Sequence, residues 1–590
     1  MRRLAAPLIT LCSLLFSAPL VIGAEDILEQ IPANAKVAVI AKDIPTLQKN
    51  LRAFVEKLDV PVPPDAIDFD NLLEMVGIQT KLGKQAAFVV TEPAVTGLTV
   101  IVELADPEGA KKLDSLQKTD DEDEFQANLM GIPALVAIED GFAFVQFTVE
   151  DDEGLEAFDD IKESLGDVLN DAQKKTIKET ELFFVVNVRE WREVAIQGLA
   201  AAEEAMKAGF EQAGGDEALN KIPGLSMKGY FEWIFKSAKS LVEQTQSIYG
   251  GIHVSADSAR LIFSAKFEEG SYLAKVTPKT SIKTADFFAD LPVRPYLFAG
   301  GSDVKSSAKP MRDFIDGFYG SMFANMKKED LETIKKSLSY LDSTDRMNML
   351  IGVGGPNGLE GVGLLFSSDP AKLFKEYKAT LKLSQKISEL FYGKNFEIKP
   401  IEKEVDEHKV TEVTMDMSAM LGEIGAKEEA AGLDPAAMIN AIYGGTKITS
   451  QIEQIDEGVG FAMSTKANPI LMLDSDELIS DDASVKETIA LLPAKSIGAG
   501  VIDPFQFFRM IGKIVSATVP DSKFPEPDAD AAKSPPIGIA TVTEPATVST
   551  HVVVSTKTIK SLIAYVMQLS QMPGPAPKFP AEPEKDDDKI

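Results

Sequence analysis

The chain is poor in cysteine, with a single residue, Cys12, inside an apolar stretch at the N-terminus. Once that stretch is removed the chain has no cysteine, which excludes disulfides, thiolate metal sites and cysteine nucleophiles. The protein must then rely on hydrophobic cores, and its 590 residues are enough for several domains. A content of 45% hydrophobic and 26% charged residues is typical of a folded globular protein.

Histidine is almost as scarce, with three residues: His253, His408 and His551. A Ser-His-Asp triad would need one of them, and no G-x-S-x-G motif accompanies them in the sequence. No H-E-x-x-H or other paired-histidine spacing occurs, so a histidine-based zinc site would need residues from distant parts of the chain. We expect His253 and His551 to occupy ordinary sheet positions, because both fall in predicted strands.

Phosphate-binding and calcium-binding motifs are also missing from the sequence. The stretch 77–84 has five residues between its glycines rather than four, and Gln85 stands where Ser or Thr would bind magnesium. The glycine-rich run 352–361 predicts a hairpin turn, because no helix follows it directly. The acidic stretches 120–124 and 150–153 lack the residue order of an EF-hand and predict solvated loops. We therefore assign no catalytic, cofactor-binding or metal-binding residue and expect no cofactor.

Tryptophan is limited to Trp191 and Trp233, whereas Asp and Glu together number 91. A hydrolase that uses carboxylates alone would need two or three acids converging in a cleft, with one in apolar surroundings that raise its pKa. The sequence does not single out such acids among so many. The aromatic platforms that glycosidases generally use would have to come from two tryptophans and ten tyrosines.

The charge is strongly negative, at −31 for the whole chain, and removal of Arg2 and Arg3 changes −31 to −33. Nucleic-acid binding depends on Lys and Arg that neutralise phosphates, so no nucleic-acid partner is expected. Anionic membrane surfaces are disfavoured for the same reason. The acidity is explained most simply as a source of solubility.

Residues 1–24 predict a secretory signal peptide. A positive start is followed by an almost unbroken apolar run over 4–22 and then by small residues before Glu25. An uncleaved membrane anchor is the alternative, since roughly 20 apolar residues span a bilayer, but Pro7 and Pro19 favour cleavage. We expect a mature chain that begins near Glu25 and has no stable membrane span. It would be periplasmic or secreted, either free or associated with the cell surface.

Three patterns recur along the chain and predict internal repeats. They are an Ile/Leu-Pro pair before a strand and a helix, a hairpin before a helix that opens with Asp-Pro, and the letters IYGG before a hairpin. The Asp-Pro pairs begin at Asp106 and Asp369, where Asp can cap a helix and Pro suits its first turn. The IYGG letters stand at 248–251 and 442–445, and a further repeat, VTEPA, stands at 90–94 and 542–546.

These patterns predict a β-α-β-β-α module that was copied by duplication, with convergence on common strand–turn–helix patterns as the alternative. The predicted copies cover 31–150, 180–280, 290–420, 430–475 and 490–570. Hairpins beside helices predict an α+β fold in which mixed or antiparallel sheets carry long helices packed on one face.

The predicted boundaries divide the mature chain into four regions of modules and a tail. The second region has two long helices, at 190–213 and 225–248, and we expect the second helix to pack on its own sheet. The tail is predicted to be disordered because its Pro-rich, charged composition cannot form a core. The regions are 25–150, 151–280, 281–475 (two modules), 476–570 and the tail 571–590.

At the level of the Ile/Leu-Pro-Ala phrase, at Ile31-Pro32-Ala33 and Leu492-Pro493-Ala494, the chain resembles uncharacterised large exported proteins of planctomycete-type bacteria. The resemblance implies secretion and repeated α+β modules. It implies no catalytic residues.

The leading hypothesis for function is an exported, non-enzymatic binding or structural protein whose partner is an envelope protein or an apolar ligand. A carrier of an apolar ligand such as a lipid is the first alternative, because 32 Phe and 19 Met accompany long amphipathic helices. A carboxylate-based hydrolase is the second alternative.

Overall fold

The structure is a computed structural model that describes residues 24–59, 82–91, 98–113, 115–119, 123–129, 132–147, 158, 161–212, 226–280, 282–355, 358–392, 398–417, 435–518, 524–528 and 531–571. The predicted signal peptide and the predicted tail lie outside these residues, apart from Ala24 and Gln571. The acidic stretch 150–153 and most of the stretch 120–124 lie outside them as well.

The described strands form one 20-stranded sheet and a separate two-stranded sheet that pairs β11 with β19. Every pairing between them is antiparallel, which settles the prediction of mixed or antiparallel sheets. The strands are β1 Val37–Ala41, β2 Leu82–Val90, β3 Leu98–Leu104, β4 Gln117–Lys118, β5 Glu124–Leu129, β6 Ile132–Glu139, β7 Phe142–Phe147, β8 Leu182–Val186, β9 Thr245–Val254, β10 Ser258–Phe267, β11 Ile282–Lys283, β12 Phe298–Asp303, β13 Arg346–Gly355, β14 Gly358–Phe366, β15 Ile401–Val405, β16 His408–Asp416, β17 Lys447–Ile455, β18 Gly458–Ser464, β19 Lys495–Ser496, β20 Gly498–Ile502, β21 Ile537–Glu544 and β22 Thr547–Ser555.

Helices connect many of these strands, so the fold is α+β as predicted. The helices are α1 Ala24–Glu29, α2 Ile44–Leu58, α3 Pro107–Ala110, α4 Leu165–Val168, α5 Asp171–Glu179, α6 Val188–Gln212, α7 Met227–Gln244, α8 Tyr272–Val276, α9 Val304–Met322, α10 Lys328–Lys336, α11 Pro370–Tyr392, α12 Pro435–Tyr443, α13 Ala483–Leu491, α14 Pro504–Thr518 and α15 Thr556–Ser570.

The large sheet has the same strand order in its two halves, which meet where β10 pairs with β22. From edge to centre the first half runs β4-β5-β6-β7-β3-β2-β1-β8-β9-β10. The second half runs β15-β16-β17-β18-β14-β13-β12-β20-β21-β22. Ile262 lies opposite His551 at the midpoint of the central pair. Duplication, and the number and boundaries of the modules, stay predictions.

The two faces of the sheet pack against different elements. On the packed face, as we call it, strands β1 and β8 contact α1, α4 and α5, while β20 to β22 contact α13 and the turn 284–287. We call the opposite face the open face, and there the long helices α2 and α11 contact the sheet. Because side chains alternate along a strand, each strand contributes one set of residues to each face.

An Asp or Asn stands at four of the junctions where a strand leads directly into a helix. Asp303 accepts a hydrogen bond from the Ser306 backbone amide at 2.9 Å, and Asp503 accepts one from the Phe505 amide at 2.9 Å. Such side chains satisfy backbone donors that the first helical turn leaves free. The other two junction residues are Asp43 and Asn187.

The Asp-Pro pairs also open helices, as predicted. Asp106 accepts a hydrogen bond from the Gly109 amide at 2.9 Å, at the start of α3, and Asp369 accepts one from the Lys372 amide at 3.0 Å, at the start of α11. The hairpin predicted in the run 352–361 agrees with the pairing of β13 with β14, although the turn residues 356–357 lie outside the described residues.

The second long helix differs from its prediction in what it packs against. The structure ends α7 at Gln244, and the following residues belong to β9. The aromatic side chains of α7 contact α9, with ring centroids 5.0 Å apart for Trp233 and Phe314 and 5.4 Å apart for Trp233 and Phe318. The physical reason is that α7 and α9 both join the sheet at the same end of their strands, so their aromatic faces meet each other.

Candidate functional site

An apolar surface lies at the centre of the open face, on strands β9, β10, β22 and β21. The register places Leu261 directly opposite Ile252 on one side and Val552 on the other, and Val552 opposite Ile539. Directly opposite residues in antiparallel strands point to the same face. We call this surface the central floor, and it consists of Ile252, Leu261, Phe263, Ile539 and Val552.

The central floor is exposed although its strands are the innermost of the sheet. Leu261 is 41% exposed and Phe263 is 48% exposed, whereas Ile262 between them is 2% exposed on the packed face. Burial of apolar area contributes about 25 cal/mol per Å² to stability. A folded chain that leaves such residues open in the middle of a sheet presents a surface that another molecule can cover.

The usual alternation of strand residues is inverted in the two central strands. In β10 the residues that face the packed side include Ser264, which is 1% exposed and hydrogen-bonds Ser549 at 2.8 Å between hydroxyl oxygens. In β22 the open side has valines at 548, 552 and 554, while Thr547, Ser549 and His551 point to the packed side. The more apolar set therefore faces outward in both strands.

A glycine widens the central floor by leaving room for a phenylalanine ring above its Cα atom. A Cβ atom at Gly250 would lie 2.1 Å from the backbone carbonyl oxygen of Ile262, which is too close for any other residue, and 2.6 Å from the Cζ atom of Phe184. The Phe184 ring is 6.2 Å from that of Phe263, between centroids. The aromatic surface of the floor thus continues from β10 across β9 to β8.

Helices leave the sheet at both ends of the central strands. At one end α7 leads into β9, α8 follows β10 and α9 follows β12; at the other end α2, α14 and α15 follow β1, β20 and β22. Phe314 on α9 is 56% exposed and adds an apolar side chain to the first group. The central floor therefore lies between two groups of helices.

A separate polar cluster lies on the packed face, and its hydrogen bonds hold the C-terminus of α5 against the sheet. The ammonium of Lys42 donates to the carbonyls of Ile177 at 2.7 Å and Lys178 at 2.8 Å, and Arg260 donates to the carbonyl of Glu179 at 3.3 Å. Cations at the C-terminus of a helix satisfy its last carbonyls and favour its dipole.

The three histidines lie apart, each in a strand. His253 contacts Glu181, with Nδ1 2.9 Å from Oε1. His408 has both ring nitrogens in contact with carboxylates, Glu453 at 2.8 Å and Asp474 at 3.0 Å, and the Glu453 bond raises the pKa of this histidine. Burial lowers the pKa of His551 to about 4. The predicted sheet positions of His253 and His551 are confirmed.

Two carboxylates have the raised pKa that a carboxylate hydrolase requires, Asp43 and Asp503, and burial is the main cause in both. Asp503 accepts hydrogen bonds from the amides of Phe505 and Gln506 at the start of α14, which gives it a capping role. Burial raises the pKa of Asp43 to about 7, against the opposing effect of the Lys42 charge. Asp43 is 2% exposed, however, and its Oδ1 atom has no hydrogen-bond partner. A substrate cannot reach a carboxylate that is buried to this degree, so the residue does not support the hydrolase alternative.

No protein family, curated protein or solved structure matches the chain. Within the described part of the chain, no helix combines the length and the apolarity needed to cross a bilayer. Across the same residues, no group of three or more His, Cys, Asp or Glu side chains is arranged to hold a metal ion.

No motif in the sequence marks a residue of the central floor. The signal that was available is the alternation in β10, where Leu261 and Phe263 fall in one set and Ser258 and Ser264 in the other. The alternation shows which residues share a face, but a reader of the sequence would assign the apolar set to the core.

Proposed function

We propose that the protein is an exported, non-enzymatic binding protein that takes an apolar ligand on the central floor. The inverted alternation of β10 and β22 carries this proposal, because it directs the apolar set of the central strands to the open face. Ligand sites are typically apolar surfaces between secondary-structure elements, with few polar groups.

The position of the floor favours a small ligand over a folded partner. Its strands are the innermost of the sheet, and helices leave the sheet at both ends of these strands. A flat protein surface would meet those helices first, whereas a flexible apolar molecule can lie between them. An envelope protein as partner is the competing result of the experiment below.

The test is a titration of the purified protein with Nile red, an uncharged dye that fluoresces in apolar sites. We expect saturable binding to the natural chain and loss of that binding in Phe263→Asp and Leu261→Asp, because a buried unpaired charge is costly. Both residues are already half-exposed, so the variants should keep the thermal stability of the natural chain.

Leu491→Asp is the matched control. Leu491 is 37% exposed and lies on α13, which packs on the other face of the sheet, so this variant should bind the dye normally. Equal binding by all the variants would contradict the proposal. So would a natural chain that binds no dye but captures a defined envelope protein through Phe263.

Export is the second part of the proposal and rests on the pattern of residues 1–24. Sequencing of the N-terminus of the protein recovered outside the cytoplasm should begin at or near Glu25. A protein that keeps residues 1–24 and sediments with membranes would instead support the anchor alternative.

A further inference from the structure

A cavity of about 460 Å³ lies on the open face beneath α9 and α10, next to β12 and β13. Its volume falls in the range of ~300–1,000 Å³ that is usual for ligand pockets. Apolar atoms form most of its wall, and the apolar side chains among the lining residues include Ala308, Met311, Ile315, Leu338, Leu341 and Met347.

Small residues connect this cavity to the central floor. Ser302 lines the cavity and lies opposite Met347 in β13 and opposite Gly498 in β20. From Gly498 the same row of the open face continues to Thr541, then to Thr550, and then to Phe263 of the floor. We call Ser302, Gly498, Thr541 and Thr550 the small-residue row, and all four are partly exposed.

The small-residue row has the width of one extended chain. Successive rows on one face of a strand are about 7 Å apart, since each residue advances about 3.4 Å and every second residue faces the same way. The neighbouring row of the open face, which contains Gly500, is filled by the ring of Phe298. A Cβ atom at Gly500 would lie 2.4 Å from Cε2 of that ring. From β13 to β10 the row crosses five strand spacings, or about 24 Å, which suits a long acyl chain.

The charges at the cavity are balanced. Arg312 forms an ion pair with Asp342, and Lys335 pairs with Asp316 at 3.1 Å between Nζ and Oδ1. The other two charged lining residues, Lys336 and Glu332, carry opposite charges, so an anionic ligand would find no net positive charge at the cavity and would meet the net charge of −31 of the chain. The cavity and its rim therefore suit a ligand with no net charge.

Building on the proposed function, we infer that the ligand is an uncharged or zwitterionic amphiphile with a single long acyl chain. One end of the chain occupies the cavity beneath α9 and α10. The rest of the chain lies along the small-residue row to the central floor.

The test measures displacement of Nile red by monoolein, an uncharged lipid with one long acyl chain. The variant Ala308→Phe fills the cavity and should weaken monoolein binding by at least about tenfold, because several methylene groups lose their apolar contacts. The variant Ser302→Leu obstructs the row at a partly exposed position and should have the same effect. Monocaprylin has a chain too short to reach from the floor to the cavity, so Ala308→Phe should leave its affinity unchanged.

Ala324→Phe is the matched control, since Ala324 is exposed and follows α9 outside the cavity. Monoolein affinity that is unchanged in both Ala308→Phe and Ser302→Leu, while Phe263→Asp abolishes binding, would overturn the inference and leave the proposed function intact. If oleate bound as tightly as monoolein, the inference that the ligand carries no net charge would be wrong. A natural chain that binds neither dye nor lipid would refute the proposed function itself.

Discussion

At the scale of single residues, Asp43 is placed where its charge is unfavourable. It stands at the junction of β1 and α2, as Asp303 stands at the junction of β12 and α9, but its side chain makes no capping hydrogen bond. Because burial raises the pKa of Asp43 to about 7, the folded chain holds a proton that the unfolded chain releases at a lower pH. The free energy of unfolding should therefore fall as the pH rises from the ordinary pKa of an aspartate to about 7.

The variant Asp43→Asn tests this interpretation. Asparagine mimics the protonated carboxyl, so the variant should unfold at a higher temperature than the natural chain near pH 8 and at about the same temperature near pH 4. Thermal unfolding followed by circular dichroism at several pH values measures the difference. A variant that is less stable than the natural chain at every pH would show that the ionised carboxylate is needed.

At the scale of elements, the start of a helix that follows a strand depends on its junction residue. Asp303 accepts hydrogen bonds from the amide of Ser306 at 2.9 Å and from its hydroxyl at 2.6 Å. Asp303→Ala should lower the free energy of unfolding by about 1 kcal/mol, the usual cost of losing an N-cap. Urea unfolding measures this change. Asp43→Ala is the matched control and should not be destabilised near pH 8, so an equal loss in both variants would argue against a capping effect.

Elements are also the scale at which sequence patterns were most informative. The prediction that Asp106 and Asp369 begin helices is confirmed, because capping depends on neighbouring residues alone. The letters IYGG show the limit of this approach. At 248–251 they lie inside β9, whereas at 442–445 they span the end of α12. Identical letters therefore occupy different backbone conformations, because the surrounding packing decides between helix and strand.

At the scale of the whole molecule, the α+β class can be predicted from the sequence, but the continuous 20-stranded sheet cannot. Helical and strand periodicity depends on nearby residues, while the central pairing joins Ser258 to Ser555 across about half the length of the chain. The sequence does not predict the central floor, for a related reason. Alternation places Leu261 and Phe263 on one face, but only the packing of α1, α4, α5 and α13 decides which face is buried.

The most direct test of the central claim is photolabelling of the protein with an uncharged acyl diazirine, followed by peptide mapping. The account predicts that labels concentrate on β10 and β22, around Phe263 and Val552, and that excess monoolein suppresses them. Val566 and Met567 on α15 are 54% and 57% exposed and serve as internal controls for nonspecific labelling. Labels spread equally over these two residues and the central floor would contradict the claim that the floor is a binding site.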